Sequence, residues 1–127
     1  MTAPQARQLV DKYIDAYNCL DVDGMLADLH PEVTFENITN GTITLRTEGK
    51  AAFAAQAEQA VGWFMERNQH ITTFEFQDKS AEVDIDYFAI ISMNLPNGLR
   101  AGDMLQLNGH SVYTFRDGLI DSIRDIS

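Results

Sequence analysis

Cysteine occurs once in this sequence, at Cys19, so no disulfide can form within the chain, and the usage fits a reducing cytoplasm. No apolar run approaches the roughly 20 residues that a membrane-spanning helix needs. The opening Met1-Thr2-Ala3-Pro4-Gln5-Ala6-Arg7 lacks the apolar stretch of a secretory signal. The expectation is a cytoplasmic protein with no membrane partner. Basic residues are scarce: 9 Lys and Arg against 19 Asp and Glu give a formal net charge of −10. A surface of that sign repels phosphate backbones and anionic lipid, so no nucleic-acid partner is expected; its ordinary role is solubility. There is no glycine-rich phosphate loop, no Cys-x-x-Cys and no His-Glu-x-x-His, and His30, His70 and His110 have no metal-ligand spacing. Neither a cofactor nor a metal is therefore expected. Internal repeats and low-complexity segments are also missing.

What is present is an ordinary globular composition, with 45% hydrophobic and 22% charged residues over 127 positions, enough for one domain spanning 1–127 with a real core. Leu9, Val10, Tyr13, Ile14, Tyr17 and Leu20 recur at three- and four-residue steps and predict an amphipathic helix. Asp21-Val22-Asp23 offers caps for a short second helix carrying Met25, Leu26 and Leu29, which His30-Pro31 ends. Val33 to Asn37 alternates as a strand, Asn40-Gly41 reads as a turn, and Glu48-Gly49-Lys50 leads into a long helix through about Arg67, with Phe53, Ala57, Ala60, Val61 and Phe64 on its stripe and Trp63 on one flank. The remainder predicts strands over His70–Gln77 (Thr72, Phe74 and Phe76 on one face), Ala81–Leu95, Asp103–Arg116 and Leu119–Ile126. Turns fall at Pro96-Asn97-Gly98 and Asp117-Gly118. The fold class is α+β: a curved antiparallel sheet wrapped as a cone on three helices of the N-terminal half, with a pocket at the wide end.

The opposite face of the two long strands carries Phe88, Ile90, Met104 and Val112 beside Asp84, Asp86, Asn108 and His110. Exposed apolar groups of this kind mark an interface. The expectation is a homodimer through this outer face, against a monomer whose loops cover its own strands. His110 reads as an interface residue, and Cys19 as a small buried one.

The series Lys12-Tyr13-Ile14-Asp15, Leu20-Asp21-Val22-Asp23-Gly24-Met25, Leu29 to Asn37, Glu48-Gly49-Lys50-Ala51-Ala52-Phe53, Phe115 to Ile120 and Ile123-Arg124-Asp125 resembles the nuclear transport factor 2-like superfamily, a cystatin-like fold, over the whole chain. The resemblance is in particular to the SnoaL-like proteins, the ketosteroid isomerases and the limonene-epoxide hydrolases. The isomerase likeness matches Tyr13 to an oxyanion-hole tyrosine, but Asn37 stands where those enzymes carry the carboxylate base and Ser111 where they carry the protonated acid. It therefore does not imply classical steroid isomerisation. The hydrolase likeness matches Asn37 to a water-holding asparagine and Arg124-Asp125 to an Arg-Asp pair whose carboxylate activates that water. Phe35 replaces a water-holding tyrosine, and the Arg-x-Asp of a long middle strand has no match around Glu82-Val83-Asp84-Ile85-Asp86.

The candidate catalytic residues are Asp125, Asn37 and Tyr13. Alternation puts Asp125 on one face with Leu119, Asp121 and Ile123, and the resemblance places Ile123 in the cavity. An Asp there titrates high and serves as acid or base, whereas a frayed carboxylate near the C-terminus would do neither. Asn37 shares the inward face of its strand with Val33 and Phe35, where it holds water or ligand, or else shapes an Asx turn. Tyr13 and Tyr17 donate to a ligand oxygen or are satisfied core tyrosines, as are Tyr87 and Tyr113. Phe35, Phe53, Phe64 and Ser111 complete the expected ligand-binding wall. The functional reading is a small apolar molecule turned over without a cofactor, by isomerisation, cyclisation, dehydration or water addition. Its alternative is a non-catalytic binding or interaction module of the same fold.

Overall fold

Thr2 opens the first helix. In the computed structural model, which describes residues 1–127, the Gln5 backbone N–H donates to the Thr2 hydroxyl at 3.3 Å and the Thr2 N–H donates to the Gln5 side chain at 2.8 Å. This capping box occupies donors that the helix start leaves free. α1 (Ala3–Asn18) then buries Ala6, Val10, Tyr13 and Ile14, the periodicity read from sequence. Asp21 caps α2 (Val22–Leu26) through the Gly24 N–H at 3.1 Å. Leu29, expected on that helix, instead opens β1 (Leu29–Thr39). Pro31 bars helix for the residues before it, and the Asp28 carbonyl accepts from the Ile120 N–H at 2.9 Å. Cys19 is not buried but exposed at the C-cap of α1.

The chain continues through β2 (Thr42–Glu48), α3 (Lys50–Val61), β3 (Phe64–Gln77), β4 (Ser80–Ile91), β5 (Met104–Arg116) and β6 (Leu119–Ile126). One six-stranded sheet runs in the order β2-β1-β6-β5-β4-β3. Neighbours are antiparallel except β1 and β6, which pair in parallel. The sheet curves around the helices without closing, the expected α+β architecture made mixed by that one pairing. Core residues come from every layer: Val10, Tyr13 and Ile14 of α1, Phe53 of α3, and Val83, Tyr113, Ile120 and Ile123 of the sheet. No helix is long and apolar enough to cross a membrane.

Several boundaries differ from the sequence reading, each for a local reason. α3 ends six positions early, at Val61, where the Gly62 N–H closes onto the Gln59 carbonyl at 3.3 Å and the Trp63 N–H onto the Ala60 carbonyl at 3.0 Å, three-residue bonds that tighten the last turn, so Phe64 and Arg67 belong to β3 and not to the helix. β2 is not expected from the sequence reading, which takes Asn40-Gly41 only as a turn; its short alternation of Ile43 and Leu45 with Thr42, Thr44 and Arg46 carries one core-packed residue, Leu45, in a mostly exposed strand. β4 stops at Ile91 and not Leu95, because the Ser92 N–H turns to the Trp63 carbonyl at 2.9 Å. A bulge between Ile71 and Thr73 takes Thr72 off the face of Phe74 and Phe76. A second bulge opposite Thr114 and Phe115 puts the extra residue at Asp121, so Ile120 points inward at 0% exposure and Asp121 pairs with Arg116 at 3.2 Å. Asp121 therefore does not share the inner face of Ile123, contrary to simple alternation.

Ile123 fills the junction of β6 with the helices. Replacing it with Ala should lower stability in urea by about 2–5 kcal/mol, whereas Val112→Ala on the outer face should cost under about 1 kcal/mol.

Candidate functional site

Between the helices and the concave face of the sheet lies a cavity of about 340 Å³, within the size range of small-molecule sites. α1 contributes Tyr13 and Tyr17, β1 contributes Phe35 and Asn37, and α3 contributes Phe53. Phe64, Tyr87, Ser111 and Asp125 also line it. Tyr113 does not: it is fully buried behind the wall, its ring edge-on to Tyr13 at 6.1 Å. It packs the site without touching the cavity.

Strand register assembles the polar centre. Asp125 stands opposite Asn37 across the parallel β1–β6 pair and opposite Ser111 across the antiparallel β5–β6 pair. Three polar side chains thus form a row over adjacent strands in an otherwise apolar wall. The Ser111 hydroxyl donates to Asp125 Oδ1 at 2.8 Å. The carboxyl borders the cavity; the surrounding protein desolvates it and pushes its pKa up to about 6, against a smaller opposing effect from Ser111. Asp125 is therefore not a frayed terminal carboxylate. Burial, and then the nearby Asp125 charge, also raise the Tyr13 hydroxyl well above its ordinary value, so it stays a neutral donor. Tyr17 is raised chiefly by burial, and its hydroxyl lies 3.0 Å from that of Tyr87.

Two residues that the sequence reading passed over share this cavity. Arg67 and Gln69 project inward from β3 and are only 3% and 7% exposed. The Arg67 guanidinium lies 3.7 Å from the centre of the Tyr17 ring, and its Nε donates to the Tyr17 carbonyl at 2.8 Å, capping the C-terminal end of α1. The Arg67-Asn68-Gln69 segment thus supplies an inward arginine on a long strand, with an amide where the hydrolase pattern has an acid. The signal was there, masked because the apolar stripe of α3 was carried through Phe64. Glu82, Asp84 and Asp86 are exposed on the other face, with Asp84 accepting from Thr73 at 2.7 Å and bonded to His110 at 2.8 Å. No group of three or more His, Cys, Asp or Glu side chains is arranged to hold a metal ion.

A carboxyl titrating near 6 when folded and near 3.8 when unfolded binds more protons in the native state between those values. Native stability should therefore be full below about pH 4 and fall by about 3 kcal/mol as pH rises through 6. Urea midpoints measured from pH 4 to 7 should show this decline in the wild type relative to Asp125→Asn, which lacks the titration.

A candidate polyketide cyclase from Xanthomonas campestris pv. campestris superposes with a TM-score of 0.83 at 24% identity, covering 98% of this chain and 91% of that one. An LEH-like epoxide hydrolase of M. tuberculosis gives 0.77 at 19% identity, over 98% and 83%. TerC, co-crystallised with polyporic acid, gives 0.74 at 17%, over 96% and 90%. These likenesses establish the fold. No curated protein matches the chain. The SnoaL-like domain profile matches residues 10–123, nearly the whole chain, and the protein belongs to that family within the nuclear transport factor 2-like superfamily.

Proposed function

We propose that this protein is a cofactor-independent acid–base enzyme that moves a proton on a small, largely apolar ketone, as in an isomerisation or a ring closure. The observation that carries the reading is Asp125: a desolvated carboxyl with a pKa near 6, set beside Asn37 and held by Ser111 at the wall of a 340 Å³ cavity. A general base works best when its pKa lies near the operating pH. Ionised Asp125 takes a proton from the carbon next to the carbonyl, and the C–H electron pair moves into an enolate. The Asn37 amide and the neutral Tyr13 hydroxyl are the donors available to the developing oxyanion. Asp125 then returns the proton, either to another carbon of the enolate or to the alkoxide formed when the enolate carbon attacks a second carbonyl of the same molecule. Gln69, an amide, stands where the hydrolase pattern has an acid, which favours proton transfer at carbon over water addition. The competing reading is a binding module of the same fold.

Deuterium incorporation into tetralones and related bicyclic ketones in deuterium oxide, followed by mass spectrometry, tests the proposal. Exchange should be accelerated, and its rate should climb with pH through about 6 as Asp125 ionises. Asp125→Asn should lose roughly 10²–10⁴-fold of it. Thermal shifts that report ligand binding with no acceleration for any ketone would leave only the binding module.

The second copy of the chain remains part of the proposal. On the outer face Ile90 lies opposite Met104, which is 70% exposed, and Phe88 is the next outward residue of β4. Val112 stands apart between Glu82 and Arg124, about 27 Å along β5 from Met104 at 3.3–3.4 Å per residue. A dimer would use the first cluster. Light scattering at micromolar concentration should give twice the mass of the 14.2 kDa chain, and Met104→Glu should return it to the monomer; a monomeric wild type would contradict the proposal.

A further inference from the structure

A guanidinium removed from water needs a counter-charge or a full set of acceptors. Arg67 is 3% exposed and belongs to none of the chain's ion pairs. Its contacts are with neutral groups: Nε donates to the Tyr17 carbonyl, Nη2 reaches the Met25 sulfur at 3.5 Å, and the plane stacks on Tyr17. A guanidinium has five N–H donors, so two are engaged, one of them on a weak sulfur acceptor, and Nη1 has no partner in the chain. No lysine and no other arginine lines the cavity. Two residues along the same strand face, Gln69 is 7% exposed and its Oε1 is a buried acceptor with no partner. Its backbone N–H and C=O are both tied to the Asn18 amide, at 2.7 and 3.1 Å, which fixes the position from which the side chain reaches the cavity. Side chains two apart on a strand start roughly 7 Å apart, close enough to converge on neighbouring oxygens of one ligand.

We infer that Arg67 and Gln69 form a recognition site for an organic anion in which an ionised oxygen stands next to a hydroxyl group: Arg67 takes the anionic oxygen and Gln69 Oε1 accepts from the hydroxyl. The ring carrying them packs on aromatic surface, since Phe64 lies 5.5 Å from the guanidinium and Trp63 and Tyr87 complete that end of the cavity. The inference deepens the proposed function by naming the substrate class, an aromatic or enolised molecule with an acidic oxygen, and in that respect rests on it. Cation and base are not paired with each other, so the substrate is anchored at one end and deprotonated at the other.

Calorimetric titration with a hydroxynaphthoate bearing the hydroxyl beside the carboxylate, its carboxamide and its methyl ether tests the assignment. The wild type should bind the hydroxy acid at least about tenfold more tightly than the amide, the scale of a hydrogen bond to a charged group, and also more tightly than the ether. Arg67→Met should abolish the preference for the anion. Gln69→Met should abolish only the preference for the free hydroxyl. Asp125→Asn should keep both preferences while losing deuterium exchange, so a failure of the proton-transfer reading is distinct from a failure of this one. Equal binding of acid and amide by the wild type, or no binding of either, would overturn the site, and this comparison decides even if Arg67→Met does not fold.

Discussion

The site depends on one pairing, the parallel ladder between β1 and β6. β6 is the last strand of the chain, yet it lies inside the sheet, with β1 on one side and β5 on the other. The Ser127 N–H still donates to the Ile38 carbonyl at 2.9 Å, and the Asn40 N–H donates to the Ser127 carbonyl at 3.2 Å. A segment that would fray at a sheet edge is therefore held on both sides as far as Ile126 and by the β1 side at Ser127. That restraint allows a carboxylate at position 125 to be placed rather than merely present. It also fixes the neighbours, because Asn37 and Ser111 are register partners of Asp125 and need no further element to bring them together.

A polar row of this kind works against the sheet that carries it. Val33, Phe35 and Ile123 on the same strands are core residues, and a carboxyl among them loses its hydration. Ser111 returns one hydrogen bond, and the second carboxylate oxygen is left to whatever occupies the cavity. The sheet tolerates the row because the cavity begins there; had α3 continued towards Arg67, as its apolar stripe suggested, its next turns would have occupied this region. Where α3 stops, at Val61, therefore matters to the site as much as the residues that line it.

Reading the sequence by period recovered what one period governs. The three- and four-residue steps of α1 and the alternation of β4 and β5 correctly predicted which side chains face inward, and alternation alone put Asn37 with Phe35. It failed where the period breaks. Single extra residues at Thr72 and Asp121 reverse the facing beyond them, and nothing in the local composition marks either bulge. It also failed at β2, an edge strand whose alternation rests on two apolar residues, Ile43 and Leu45, and at the junction of α3 with β3, where Phe64 satisfies both a helical step and a strand face. Arg67 was lost at that junction. Asp125 was legible as inward, but its restraint was not, because the parallel partner that supplies it lies some 90 residues earlier in the chain and pairing across such a distance leaves no local trace.

The two charged groups of the cavity explain each other by their separation. Tyr13 lies between them in its electrostatics: after burial, the Asp125 charge raises its pKa and the Arg67 charge lowers it. Arg67 does not count among the causes acting on Asp125. Had the guanidinium been placed against the carboxylate, a close cation would favour the ionised form and hold its pKa down, and the pair would have satisfied itself with no demand on a ligand. Kept apart, Asp125 stays poised near neutral pH and Arg67 keeps unspent donors. Each group then lacks a partner that only a third body in the cavity can provide, and both shortfalls can be met at once by a molecule with an acidic oxygen at one end and an enolisable carbon at the other.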